Sequence, residues 1–179
     1  MNDLPKTLDE TYSRTLLGNV GIDEEKREYA LRLFQCLMAS IRPLLVEELA
    51  EIPAIQFDEE AFPSFNANWR PEYAEETVMS VCSSLIAIVD RGGHHVVQFS
   101  HFSVKEYLTS ERLAAVEERL SYYHILPEPT HIILAHTSLS VLLHLDDEIN
   151  RDTTADFPLA PYAVCCSSIA HQRGHEAFI

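Results

Sequence analysis

Residues 85–100 read LIAIVDRGGHHVVQFS, two β-rich runs separated by Gly-Gly. Gly92 and Gly93 supply the positive φ that a tight hairpin turn requires, so this stretch is predicted to form two paired strands. Everything periodic around it is helical. A capping-box spacing, Thr7 to Glu10, opens a first helix with Leu8, Tyr12, Thr15 and Leu16 on one face. A second helix spans about Asp23 to Ser40, with Tyr29, Ala30, Leu33, Phe34, Leu37 and Met38 at helical spacing. Pro43 then breaks the chain, and a short helix restarts with Glu47 and Glu48 expected outward and Leu45 and Leu49 inward. The prolines and polar residues of 53–73 predict a loop, and a fourth helix is expected over about Glu72 to Ser84.

Three helices followed by a hairpin is the winged-helix order. The expected fold is mainly α with a small β-hairpin: a winged helix over 4–113, a helical extension over 114–145, and a linker and terminal helix over 146–179 leading toward a repeat region. Leu44, Leu45, Leu49, Val104, Tyr107 and Leu108 should form the core beneath the hairpin. A fifth helix should start at Ser103, where Glu106 again gives a capping-box spacing. In the extension, Thr130 is the expected N-cap of a segment so apolar all round that it should be buried.

Charge narrows the function. The net charge of −15, from 28 acidic and 13 basic residues, would repel a phosphate backbone, and Lys6, Lys26, Arg27 and Lys105 are scattered among acids. The fourth helix, which would enter a DNA groove, begins with Glu72, Tyr73, Glu75 and Glu76. Nucleic acid is therefore not the expected partner. No apolar run reaches the roughly eighteen residues that span a bilayer, and MNDLPKTLDETYSR has no basic-then-apolar leader pattern, so a cytoplasmic setting without membrane contact is expected.

No GxSxG, HExxH or GxxxxGK[ST] occurs, so hydrolase chemistry is not expected and this chain alone should not hydrolyse a nucleotide. Cys36, Cys82, Cys165 and Cys166 follow no CxxC spacing and should be reduced thiols. His171 and His175 share a helical face, yet adjacent Cys165 and Cys166 point apart and suit a zinc site poorly, so no metal is expected. His94 and His95 fall at the hairpin tip and should be exposed. The remaining candidate is His101, set between a strand end and a helix start. Imidazole and helix-start N–H groups both favour a nearby anion there, while the alternative is a histidine that bonds backbone at the strand end.

The segments LPKTLDETYSRTLL, ALRLFQCLMASIRPLLVEELAE, VVQFSHFSVKEYLTS and FPLAPYAV occur in this order. Together they resemble the segment that follows the NACHT nucleotide-binding domain in fungal NLR-like STAND ATPases, often labelled a GPI inositol-deacylase winged-helix domain. The resemblance covers about 4–145, with a weaker echo at 157–164, and departs after Tyr162, where relatives carry a Trp-containing helix. It implies a non-catalytic regulatory module without deacylase chemistry. Its partners would be a NACHT module in cis and ankyrin or other repeats in cis, and ADP or ATP would belong to the parent protein. It further implies a phosphate-sensing role for His101 when an NTPase module is attached, because such domains place a histidine of a Met-His-Asp-like motif near the β-phosphate of ADP. Phe102 stands where the acid of that motif would be. The alternative is an independent protein-interaction domain without an ATPase partner.

Overall fold

A computed structural model describes residues 7–20, 24–57, 62–146 and 156–165. Helix α1 (Leu8–Val20) is opened by Thr7, whose hydroxyl oxygen accepts the Glu10 amide at 3.2 Å, as the Thr–Glu spacing predicts. Helix α2 (Glu24–Ala39) buries Ala30, Leu33, Phe34, Cys36 and Ala39 along one stripe. Short strand β1 (Leu44–Leu45) runs directly into α3 (Val46–Ala50), and α4 (Ala74–Cys82) precedes strands β4 (Ile86–Arg91) and β5 (His94–Phe99). The hairpin turn is closed by Gly92 and Gly93 at φ 66° and 85°, with the Gly93 amide donating to Asp90 Oδ1 at 3.2 Å.

Strand β1 pairs antiparallel with β5, giving a three-stranded sheet in the order β1-β5-β4 with Leu44 opposite Val97 and Ile88 opposite Val97 from the other side. Helices α2, α3 and α4 with this sheet make the winged helix that the element order predicts. Leu44, Leu49, Val104, Tyr107 and Leu108 join one core cluster with Leu33, Phe34 and Val97. Leu45 is only half-buried, because strand alternation turns it away from the side that Leu44 fills.

Several expectations are corrected. Glu48, expected outward, is 1% exposed: its carboxylate accepts the Leu45 amide at 2.7 Å and Arg42 Nη1 at 2.9 Å, so cap and cation together satisfy it. The expected loop of 53–73 contains a two-stranded ribbon, β2 (Ile55–Gln56) with β3 (Ser64–Phe65), flanked by 3-10 turns at Ile52–Ala54 and Ala67–Trp69. Helix α5 (Phe102–Leu108) is capped by His101 rather than started by Ser103. Two short helices, α6 (Glu111–Ala114) and α7 (Glu118–Ser121), lead to α8 (Pro127–Asp146).

Helix α8 begins three residues before Thr130, since Pro127 lacks only an amide that a first turn leaves unbonded anyway. Thr130 is instead buried in that first turn, its hydroxyl donating to the Leu126 carbonyl at 2.5 Å. Nor is α8 buried all round. Leu134, Thr137, Ser138, Ser140 and Val141 are covered, and small residues on this side let α8 lie along α2, whereas Ile132, Leu139 and Leu143 are exposed. Residues 156–165 end in a helical turn over 160–165 and return to the winged helix, burying Phe157, Leu159, Ala160, Tyr162 and Ala163.

Candidate functional site

His101 sits where β5 ends and α5 begins, with extended backbone at φ −150° and ψ 149°. Its Nδ1 accepts the Ser103 amide at 3.2 Å and lies 2.6 Å from Ser103 Oγ. A nitrogen that accepts an amide carries no proton, so the Ser103 hydroxyl donates to the same Nδ1. Ser103 Oγ in turn lies 2.7 Å from the Tyr12 hydroxyl, which must be the donor of that pair. The neutral ring therefore holds its proton on Nε2, and because His101 is exposed it presents a single N–H donor to what lies outside. The Phe102 ring, 69% exposed, packs 4.4 Å from the imidazole and limits its swing on one side.

Beside this chain runs a second one. Ser13 donates to the Asp9 carbonyl at 2.8 Å, so Tyr107, 2.7 Å from Ser13 Oγ, donates to it. Burial pushes the Tyr107 hydroxyl above its ordinary value, against the lowering effect of Ser13, and it stays protonated as this bond needs. Arg112 meets Asp9 at 3.0 Å, and the Tyr12 and Tyr107 rings lie 5.5 Å apart. Helix α1 is thus attached to α5 and α6 by three polar contacts and an aromatic pair.

The structure places His101 at the strand-to-helix junction, as the sequence spacing implied, and leaves it exposed. It corrects one ingredient of the anion argument: the Ser103 amide is taken by His101 and is not open to a ligand. His94 and His95 are exposed at the hairpin tip, far along β5 from His101. Cys165 is an exposed free thiol and Cys36 a buried one, while Cys166, His171 and His175 lie outside the described residues. Burial raises the Cys36 thiol to about 12, which makes it an inert packing group. Among the described residues no three His, Cys, Asp or Glu side chains converge as metal ligands, and no helix is long and apolar enough to cross a membrane.

Two features escaped the sequence. Glu51, 2% exposed, accepts the Leu159 amide at 2.7 Å through Oε2, and Arg70 Nε lies 2.9 Å from Oε1 as an ion pair set off the hydrogen-bond axis. Burial raises the Glu51 carboxyl above the usual range, with the Leu159 amide and Arg70 pulling the other way. Arg70 also bonds the Asp156 carbonyl, and Arg42 stacks 4.6 Å over the Tyr162 ring, whose hydroxyl accepts the Ile41 amide at 3.1 Å. The second feature is a groove of about 600 Å³ between α2 and the β2–β3 ribbon, lined by Glu28, Tyr29, Arg32, Pro53, Phe57 and Trp69. Arg32 stacks 3.6 Å over Phe57 there. At the start of α4, the N-cap Tyr73 is 60% exposed, and Glu72 before it and Glu75 and Glu76 in its first turn are exposed, so the helix in the groove-reading position displays carboxylates.

The family described as "GPI inositol-deacylase, winged helix domain" matches residues 19–117, which run from the end of α1 through α6. The chain is also similar to the azaphilone pigments biosynthesis cluster protein L of Monascus ruber, at 31% identity over 170 residues. That alignment takes in 91% of this chain and 34% of the relative, so the chain spans about a third of that protein's length. No solved structure matches it.

Proposed function

The chain belongs to the GPI inositol-deacylase winged-helix family, and from that premise we propose that it is a non-catalytic regulatory module of a fungal NACHT/STAND-type signalling NTPase. In this role it packs on the nucleotide-binding module in cis and couples nucleotide state to signalling. The observation that carries the proposal is His101: an exposed imidazole whose Nδ1 is occupied, leaving Nε2–H as a fixed donor toward an anionic oxygen. A ring N–H held in one direction suits the phosphate of a retained ADP, whose oxygens accept hydrogen bonds. The ADP or ATP and the P-loop that cradles it belong to the attached module, and the protein works in the cytoplasm. Ankyrin or other repeats further along the chain would receive the output.

A second proposal rests on α4. Exposed Tyr73 and Trp69 beside Glu72, Glu75 and Glu76 make a surface suited to a protein partner rather than to nucleic acid, and an independent interaction domain would use it directly.

The test is to read the native transcript upstream of the codon for Met1 and then to assay the encoded protein. An in-frame P-loop, followed by loss of co-purifying ADP in His101→Ala, is the expected result. A stop codon with no P-loop, or ADP retained undiminished in His101→Ala, overturns the sensor and leaves the interaction domain.

A further inference from the structure

His101 is held by Ser103, two residues on, and through Ser103 by a residue far from it in sequence. The hydroxyl of Tyr12, 91 residues from Ser103 and 8% exposed as a residue, reaches Ser103 Oγ at 2.7 Å, and Ser103 Oγ reaches His101 Nδ1 at 2.6 Å. Nearly all of α1, Tyr12 included, precedes residue 19, where the family match begins. Yet α1 is joined to α5 and α6 through Tyr12–Ser103, Ser13–Tyr107 and Asp9–Arg112.

We propose that Tyr12 and Ser103 are positioning residues for His101, so that α1 is part of the anion-facing site and moves with it. This deepens the proposed function, resting on it for the ligand class but not for the geometry. The physical basis is directional. Tyr12 donates to Ser103, which frees the serine proton for Nδ1, and Nδ1 as acceptor fixes both ring orientation and the protonated nitrogen, Nε2. An oxyanion that accepts from Nε2–H makes Nδ1 a stronger acceptor, which tightens the Ser103 and Tyr12 bonds in turn. A displacement of α1 by whatever precedes it pulls on the same bonds and turns the imidazole away. Ligand occupancy at His101 and the placement of α1 are then two ends of one equilibrium, each biasing the other.

The experiment uses the 179-residue chain with ¹⁵N-labelled histidine and reads the ring nitrogens by long-range ¹H–¹⁵N spectra. No nucleotide is present, so the outcome is independent of whether His101 ever meets a phosphate. In the wild type, His101 should show a protonated Nε2 and an Nδ1 signal displaced by its hydroxyl donor from that of exposed His94. Ser103→Ala should move this Nδ1 signal toward that of His94, Ser103→Thr should restore it, and Tyr12→Phe should move it part of the way. The amide signals of Leu44 and Val97 in the core, read on a uniformly ¹⁵N-labelled sample of each variant, report that it is folded. A wild-type His101 Nδ1 coincident with that of His94 overturns the proposal, as does an unchanged signal in Ser103→Ala. A signal that moves in Ser103→Ala but not in Tyr12→Phe removes α1 from the site and overturns the coupling.

Discussion

Glu51 shows how one side chain can be both necessary and costly. Its carboxylate anchors the Leu159 amide, and its environment raises its pKa chiefly through burial. A carboxyl whose folded pKa lies above its unfolded value binds its proton more tightly in the fold, so its share of stability is greatest in acid and declines as pH rises through the raised value. Glu51→Gln keeps an acceptor for Leu159 without the charge, so urea denaturation should show that declining slope in wild type and not in the variant. Glu51→Ala removes the acceptor and strands a buried amide, at a cost of about 1–3 kcal/mol, which the urea midpoint will report. None of this was readable in the chain: Leu159 is 108 residues away and Glu51 looks like any acid at a helix end. Glu48 misled for a different reason: its partners, the Leu45 amide and Arg42, are only three and six residues away, but the leucine at the cap carries no side-chain acceptor to mark the helix start. His101 was legible as a junction residue from the pattern on either side of it. Its capping role was not, since Ser, Thr, Asp and Asn are the usual N-caps.

The hairpin is the element most fully written in the sequence, because glycines between β-rich runs leave few alternatives. Gly92 and Gly93 both have positive φ and open space around the position of a Cβ, so substitution acts through the backbone alone. Alanine at either position should cost about 1–2 kcal/mol by thermal denaturation, and asparagine less, since it tolerates the left-handed region. Strand β1 was missed, being two residues whose only signal is pairing with β5, and the β2–β3 ribbon was hidden by prolines and polar residues for the same reason. Helix α8 was legible as a helix, but not which of its apolar residues are covered. Leu134→Ala, on the covered side, should lose about 2–5 kcal/mol, whereas Leu139→Ser should stay within about 0.5 kcal/mol. Sedimentation of the Leu139→Ser chain should also show less self-association than wild type, because an exposed apolar residue has gone.

For the molecule as a whole, charge is the dominant long-range term. At −15 the surface repels itself, and the Arg42, Arg70 and Arg112 ion pairs offset only part of that. Raising ionic strength from about 0.01 M to 0.1 M shortens the screening length from about 30 Å to 10 Å, so the urea midpoint should rise over that range. A fall would mean that the arginine pairs outweigh the repulsion. The docked segment 156–165 has a consequence of another kind. Its Leu159 and Tyr162 bond residues beside α3 that are made more than a hundred positions earlier, and its Phe157 packs on Phe65 and His144. During translation the winged helix has its hairpin and its helices well before it has this cover, and until then Glu51 lacks its amide partner. Completion of the fold thus waits on residues made after the hairpin and helices they cover, and a chain cut short before Phe157 carries an open apolar seam for chaperones and proteases to find.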